Sequence, residues 1–97
     1  MSIYTIGIWT VKPGREEEFI GAWRDMATKT QSEFGPRATL LRDRDNPHRF
    51  ISSGPWESLE QIQAWRASTT FNDGVGRIRE LLDNFEPHTM DETVVIG

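Results

Sequence analysis

The chain has no cysteine and only two histidines, His48 and His88, among its 97 residues. With no thiol there is no disulfide staple, no thiolate nucleophile and no cysteine-ligated zinc. Two histidines make a dedicated metal cage hard to assemble, so no metal is expected. Long apolar runs are also missing. The most apolar stretch, Ile3 to Val11, is too short and too β-branched for a signal sequence or a membrane span, and the first residues carry no basic lead. A cytoplasmic protein with no membrane partner is the expectation. An excess of positive charge is lacking as well, since 15 acidic residues outnumber 11 basic ones for a net charge of -4. Phosphate backbones call for an uncompensated basic face, so nucleic acid is not an expected partner. Arginines instead alternate with acids in Arg42-Asp43-Arg44-Asp45, the pattern of a solvated hairpin tip. No repeat, low-complexity tract or linker divides the chain, and residues 1–97 are expected to form one domain with a single shallow core.

What is present is an ordered series of elements. Ile3 to Val11 is rich in β-branched and aromatic residues and stops at the turn signal Lys12-Pro13-Gly14, which marks a first strand. Glu16, Glu17 and Glu18 then crowd a first helical turn, where carboxylates favour the positive end of the helix dipole. Phe19, Trp23, Met26 and Ala27 recur on one face, predicting a helix of about four to five turns. Gly35-Pro36 breaks it. Ala38 to Arg42 and Arg49 to Ser53 read as a hairpin turned by Asp45-Asn46-Pro47, the second strand ending at Trp56. Ser58 caps the next helix, with Gln61 placed to reach back to the cap, and Leu59, Ile62 and Trp65 face inward. After an interruption at Ser68-Thr69-Thr70, Phe71, Val75, Ile78, Leu82 and Phe85 follow helical spacing, weakened by Gly74 and Gly76, which predicts a bent or frayed helix. A last strand is expected at Glu92 to Ile96. The order β-α-β-β-α-(α)-β is that of an α+β ferredoxin-like fold, an antiparallel sheet with helices on one face.

Strand one carries a further implication. Tyr4, Ile6 and Ile8 point one way and Ile3, Trp9 and Val11 the other, so both faces are apolar although helices cover only one. The economical second cover is another subunit, and a homodimer is expected.

The tryptophans admit two readings. Trp56 and Trp65, with Phe71, can fill a core or wall a slot for a flat aromatic ligand. If Gly7 faces the helices, Thr5 and Trp9 share its face, while Ser52, Gly54 and Trp56 form the matching set on the neighbouring strand. Small residues there leave space that Trp9, Trp23, Trp56, Trp65 and Phe71 would wall. His88 could serve as a base by its ordinary pKa, although its position after Pro87 suits an exposed strand edge. Arg77 or Arg42 could stabilise an anion, but pairing of Arg77 with Asp73 or Glu80 would explain it equally well.

Val11-Lys12-Pro13-Gly14 before a glutamate-rich helix, then Asp45-Asn46-Pro47, Phe50, Trp56-Glu57-Ser58, Trp65, Ser68 and Phe71, resemble the antibiotic biosynthesis monooxygenase domain over nearly the whole chain. The resemblance implies a dimeric α+β barrel that oxidises anthrones, quinols or other electron-rich aromatics with dioxygen and without a bound cofactor. It implies a cavity-shaping role for Trp56. The family's substrate-holding asparagine, four residues before that tryptophan, is Ser52 here, and its helix arginine falls near Gly76 with Arg77 beside it, displaced about 100° around the helix. Haem-degrading relatives use an asparagine, a tryptophan and a histidine where this chain has Gly7, Trp65 and Val75, which speaks against haem breakdown. The expected catalytic set is Ser52, Trp56, Arg77 and His88. The expected substrate-binding set is Thr5, Gly7, Trp9, Trp23, Trp65 and Phe71, with no metal or cofactor. A ligand-binding or regulatory protein of the same fold, and an isomerase or decarboxylase that consumes no oxygen, are the competing readings.

Overall fold

The central strand of the computed structural model, which describes residues 1–97, is β1 (Ile3–Val11). It pairs antiparallel with β3 (Arg49–Trp56) on one side and β4 (Leu82–Asp91) on the other, and β2 (Thr39–Arg42) completes the sheet in the order β2-β3-β1-β4. Helices α1 (Glu16–Phe34), α2 (Leu59–Arg66) and α3 (Thr69–Arg79) make the order β-α-β-β-α-α-β, a ferredoxin-like α+β fold.

Local chemistry sets the helix ends. No side chain caps α1, but Arg15 grips Glu18 through two hydrogen bonds of 2.7 and 3.0 Å, beside the three glutamates of the first turn. At its other end Gly35 adopts φ 92°, a left-handed conformation that costs glycine little, and returns its N–H to Gln31. Ser58 accepts from the Gln61 N–H as the cap of α2. The Gln61 side chain accepts from the N–H of Glu57, one residue before the expected cap, and donates to the Phe34 carbonyl, which ties α2 to the end of α1. Ser68 caps α3 in the same way, through Phe71. The Ser68-Thr69-Thr70 interruption is thus a boundary between two helices.

Two sequence-based expectations are corrected at the C-terminal end. α3 runs unbroken through Gly74 and Gly76 and stops at Arg79, so Leu82 and Phe85 belong to β4. A spacing of three fits a helix, and fits one face of a strand only through a bulge; here Phe85 pairs with Trp9 and Leu82 with Val11 around a register shift at Thr10/Val11, along the available edge of β1. Pro87 is tolerated because β4 is an edge strand. The strand expected at Glu92 to Ile96 does not form. Residues 92–97 add no strand to either edge of the sheet, and Val94, Val95 and Ile96 are exposed.

Strand period and register then sort the side chains. Gly7, Trp9 and Val11 of β1 and Phe50, Ser52, Gly54 and Trp56 of β3 share the helix-covered face. Trp9, Val11, Phe19, Met26, Phe50 and Ile78 are buried there in one core cluster. α3 approaches α1 closely at Gly74, where a Cβ would sit 2.6 Å from Met26 Cγ, which explains a glycine inside a helix. Tyr4, Ile6 and Ile8 lie half-buried on the other face beside Ile51, as the two-sided apolar pattern predicts. No helix is long and apolar enough to cross a membrane.

Candidate functional site

Between the sheet and the three helices lies a cavity of about 460 Å³, within the range of small-molecule sites. Its walls include Thr5, Gly7, Trp9, Trp23, Ser52, Trp56, Trp65, Phe71 and His88, so nine of the ten residues expected from sequence border it, all but Arg77. Trp56 and Trp65 meet at a centroid distance of 4.9 Å, Phe71 packs edge-on to Trp65 at 4.6 Å, and Phe85 stacks on Trp9 at 4.1 Å. Trp9 and Trp56 are each 4% exposed, so they support the core and line the cavity at once.

Three of the four indoles are locked by hydroxyl groups. Trp9 Nε1 donates to Ser52 Oγ, Trp56 Nε1 to Thr5 Oγ1 and Trp65 Nε1 to Thr30 Oγ1, each at 2.9 Å. A buried indole N–H needs such a partner. Each hydroxyl spends an acceptor lone pair on the indole and makes no donor bond to the protein. Trp23 differs. Its N–H has no protein acceptor, and it stands between the main cavity and a smaller groove beside Ile20 and Leu40.

The small residues act differently from the sequence expectation that they leave empty space. A Cβ on Gly7 would lie 2.7 Å from Trp9 Nε1 and 2.8 Å from Ser52 Oγ, so this glycine makes room for their hydrogen bond. At Gly54 the equivalent space is taken by the Arg37 carbonyl, 2.7 Å from an added Cβ. Both glycines nonetheless border the cavity.

Two expected catalytic residues are misplaced for this cavity. Arg77 is not among its walls; its side chain is 62% exposed, with Nη1 3.8 Å from Asp25 on α1. Its carboxylate partner is therefore Asp25 on α1, and neither Asp73 nor Glu80 of its own helix region lies within salt-bridge distance. His88 borders the cavity, but it pairs with Ile6 and therefore presents its side chain to the opposite face, where Nε2 lies 3.8 Å from Glu86. Arg42 turns away too, donating to the Pro47 carbonyl and lying over Phe50.

Thr30, Arg37 and Arg66, which the sequence did not single out, also line the cavity. Thr30 is 6% exposed and occupies the α1 stripe one turn after Met26, a polar residue at an apolar position, which is a usable signal. Arg66 and Arg37 line the cavity and carry no such signal. None of the lining residues is acidic. The carboxylates held below their ordinary range lie elsewhere: Glu16 by its own backbone N–H, Glu18 by Arg15, and Asp43 by the N–H groups of Asp45 and Asn46.

Comparison with solved structures places this geometry among known folds. SnoaB, a cofactor-independent oxygenase from Streptomyces nogalater, superposes with a TM-score of 0.90 at 21% identity, covering 98% of this chain and 96% of that one. A conserved protein from Methanosarcina mazei Go1 gives 0.88 at 19% identity, with 96% and 94% covered. A Pseudomonas aeruginosa protein gives 0.82 at 19% identity, with 96% and 95% covered. No curated protein matches the sequence. Residues 2–77, from β1 into α3, match the antibiotic biosynthesis monooxygenase family, and the chain belongs to that family.

Proposed function

We propose that the protein is a cofactor-independent monooxygenase that oxidises a small electron-rich aromatic, quinol- or anthrone-like, with dioxygen in the cavity between sheet and helices. The observation that carries this reading is the set of three tryptophan–hydroxyl pairs in an aromatic-walled cavity. Indole faces hold a flat ring, and the hydroxyls offer O–H donors to its oxygen substituents. Membership of the family and the likeness to a cofactor-independent oxygenase support it.

The chemistry asks little of the protein. A phenol or anthrone becomes reactive toward dioxygen once deprotonated, because the anion gives up an electron far more readily than the neutral form. At an anthrone-like methylene, one oxygen atom replaces the two hydrogens and the other leaves as water. Ser52, held by Trp9, is the donor we assign to the developing oxyanion. Trp56, Trp65 and Phe71 orient the ring, with Thr5, Gly7, Trp9 and Trp23 completing the walls.

A second reading has its own support. No carboxylate lines the cavity and the His88 side chain is directed to the other face, so no side-chain base is aimed at a bound substrate. A ligand-binding or regulatory protein needs none. Oxygen uptake separates the two: purified protein is assayed against anthrones, naphthoquinols and catechols, corrected for spontaneous oxidation. Uptake that saturates and falls in a folded Trp56→Ala variant supports the oxygenase. Saturable binding of the same compounds with no uptake above background supports the binder.

In either reading the protein works as a cytoplasmic homodimer. The half-buried outer face built on Tyr4, Ile6, Ile8 and Ile51 is an apolar surface that a second copy would cover.

A further inference from the structure

Arg66 closes α2, and its side chain reaches across to β4, donating from Nη2 to Thr89 Oγ1 at 3.1 Å. Thr89 pairs with Thr5, so it stands on the helix-covered face, and both Arg66 and Thr89 line the cavity. The guanidinium is thus held at the rim by a neutral acceptor. It has five N–H donors, and this bond uses one. No carboxylate lies within salt-bridge distance of Arg66 or of Arg37, the second arginine on the cavity wall. In a chain with 15 acidic residues, a cavity that carries two arginines and no acid has a local charge opposite to that of the whole protein. A cation at the C-terminal end of α2 suits the helix dipole, but that accounts neither for the reach to Thr89 nor for the absence of acids around the cavity.

We propose that the ligand of this cavity is a flat aromatic bearing an anionic substituent, a carboxylate above all, and that Arg66 receives it at the rim with Arg37 adding to the local field. This rests on the aromatic-cavity reading above and narrows its substrate class. The guanidinium fork binds a carboxylate bidentately, which would fix the ring's direction of entry and leave the oxidisable carbon toward Ser52 and Trp9. Arg66 is then a specificity-determining residue.

The test is calorimetric binding of a matched pair at neutral pH, 1-hydroxy-2-naphthoate and 1-naphthol, to the full chain. The expected result is that the acid binds about tenfold tighter, as a solvent-exposed charge-assisted contact allows. Arg66→Gln removes that preference, Arg66→Glu reverses it, and Arg77→Gln leaves it intact. Raising the salt concentration weakens binding of the acid only. Equal binding of the two probes to the unaltered protein, or a preference that survives Arg66→Gln, overturns the anion site while leaving the aromatic cavity standing. Failure of both probes to bind overturns the aromatic cavity and the anion site together.

Discussion

The Trp9 indole reaches Ser52 Oγ at 2.9 Å by crossing over the bare Cα of Gly7. Gly7 pairs with Ser52 across the sheet, so one glycine clears the path for a hydrogen bond between a buried core tryptophan and the hydroxyl assigned to the reacting oxygen.

Gly7→Ala is therefore expected to be costly. Its methyl group would need the space that both partners occupy, and the indole is packed against Phe19 and Phe85. Overpacking of this kind costs about 1–3 kcal/mol. Urea unfolding measures it, and a loss of less than about 0.5 kcal/mol would show that Trp9 can move aside.

Thr30→Val keeps the shape of the side chain and deletes the acceptor for Trp65. The indole N–H is left without a partner in a partly dry site, a loss of about 1–3 kcal/mol. Trp65→Phe together with Thr30→Val should recover much of that loss, because neither group is then stranded. A double-mutant cycle that came out additive would refute the pairing.

Acid should weaken the fold through Glu16, Glu18 and Asp43. Each has a carboxyl held below its ordinary value: Glu16 chiefly by its own backbone N–H, Glu18 by Arg15, and Asp43 by the N–H groups of Asp45 and Asn46. A depressed folded-state pKa means that the unfolded chain takes up protons first. The stabilisation is thus complete above the ordinary carboxylate range and is lost as pH falls through the lower folded-state values. Thermal melts across mild acid should show this decline, and it should be shallower in Asp43→Asn. Identical slopes in the two proteins would remove Asp43 from the account.

Ile6→Lys, on the outer face of the sheet, should convert the expected dimer to monomer and leave the helix-covered core intact. Light scattering at micromolar concentration reads the outcome. A monomer before any substitution would mean that the outer face has no second copy to cover it.

Much of this protein is legible without coordinates. β-branched residues with turn signals mark β1 and the β2–β3 hairpin, and the Ser58 cap marks α2, because these choices depend on chemistry within a few residues. Alternation along β1 and β3 likewise groups Thr5, Gly7 and Trp9 with Ser52 and Trp56, since a strand turns each side chain opposite to the one before it. Tertiary structure alone decided the rest. Leu82 and Phe85 became strand because β1 offered an edge, and His88 faced away from the cavity because its register placed it opposite Ile6. Arg66 became a cavity residue because Thr89, 23 positions later, stood within its reach. Local sequence carries propensity and parity; which strand edge is open and which guanidinium meets which hydroxyl are set by contacts between residues far apart in the chain, and no local pattern encodes them.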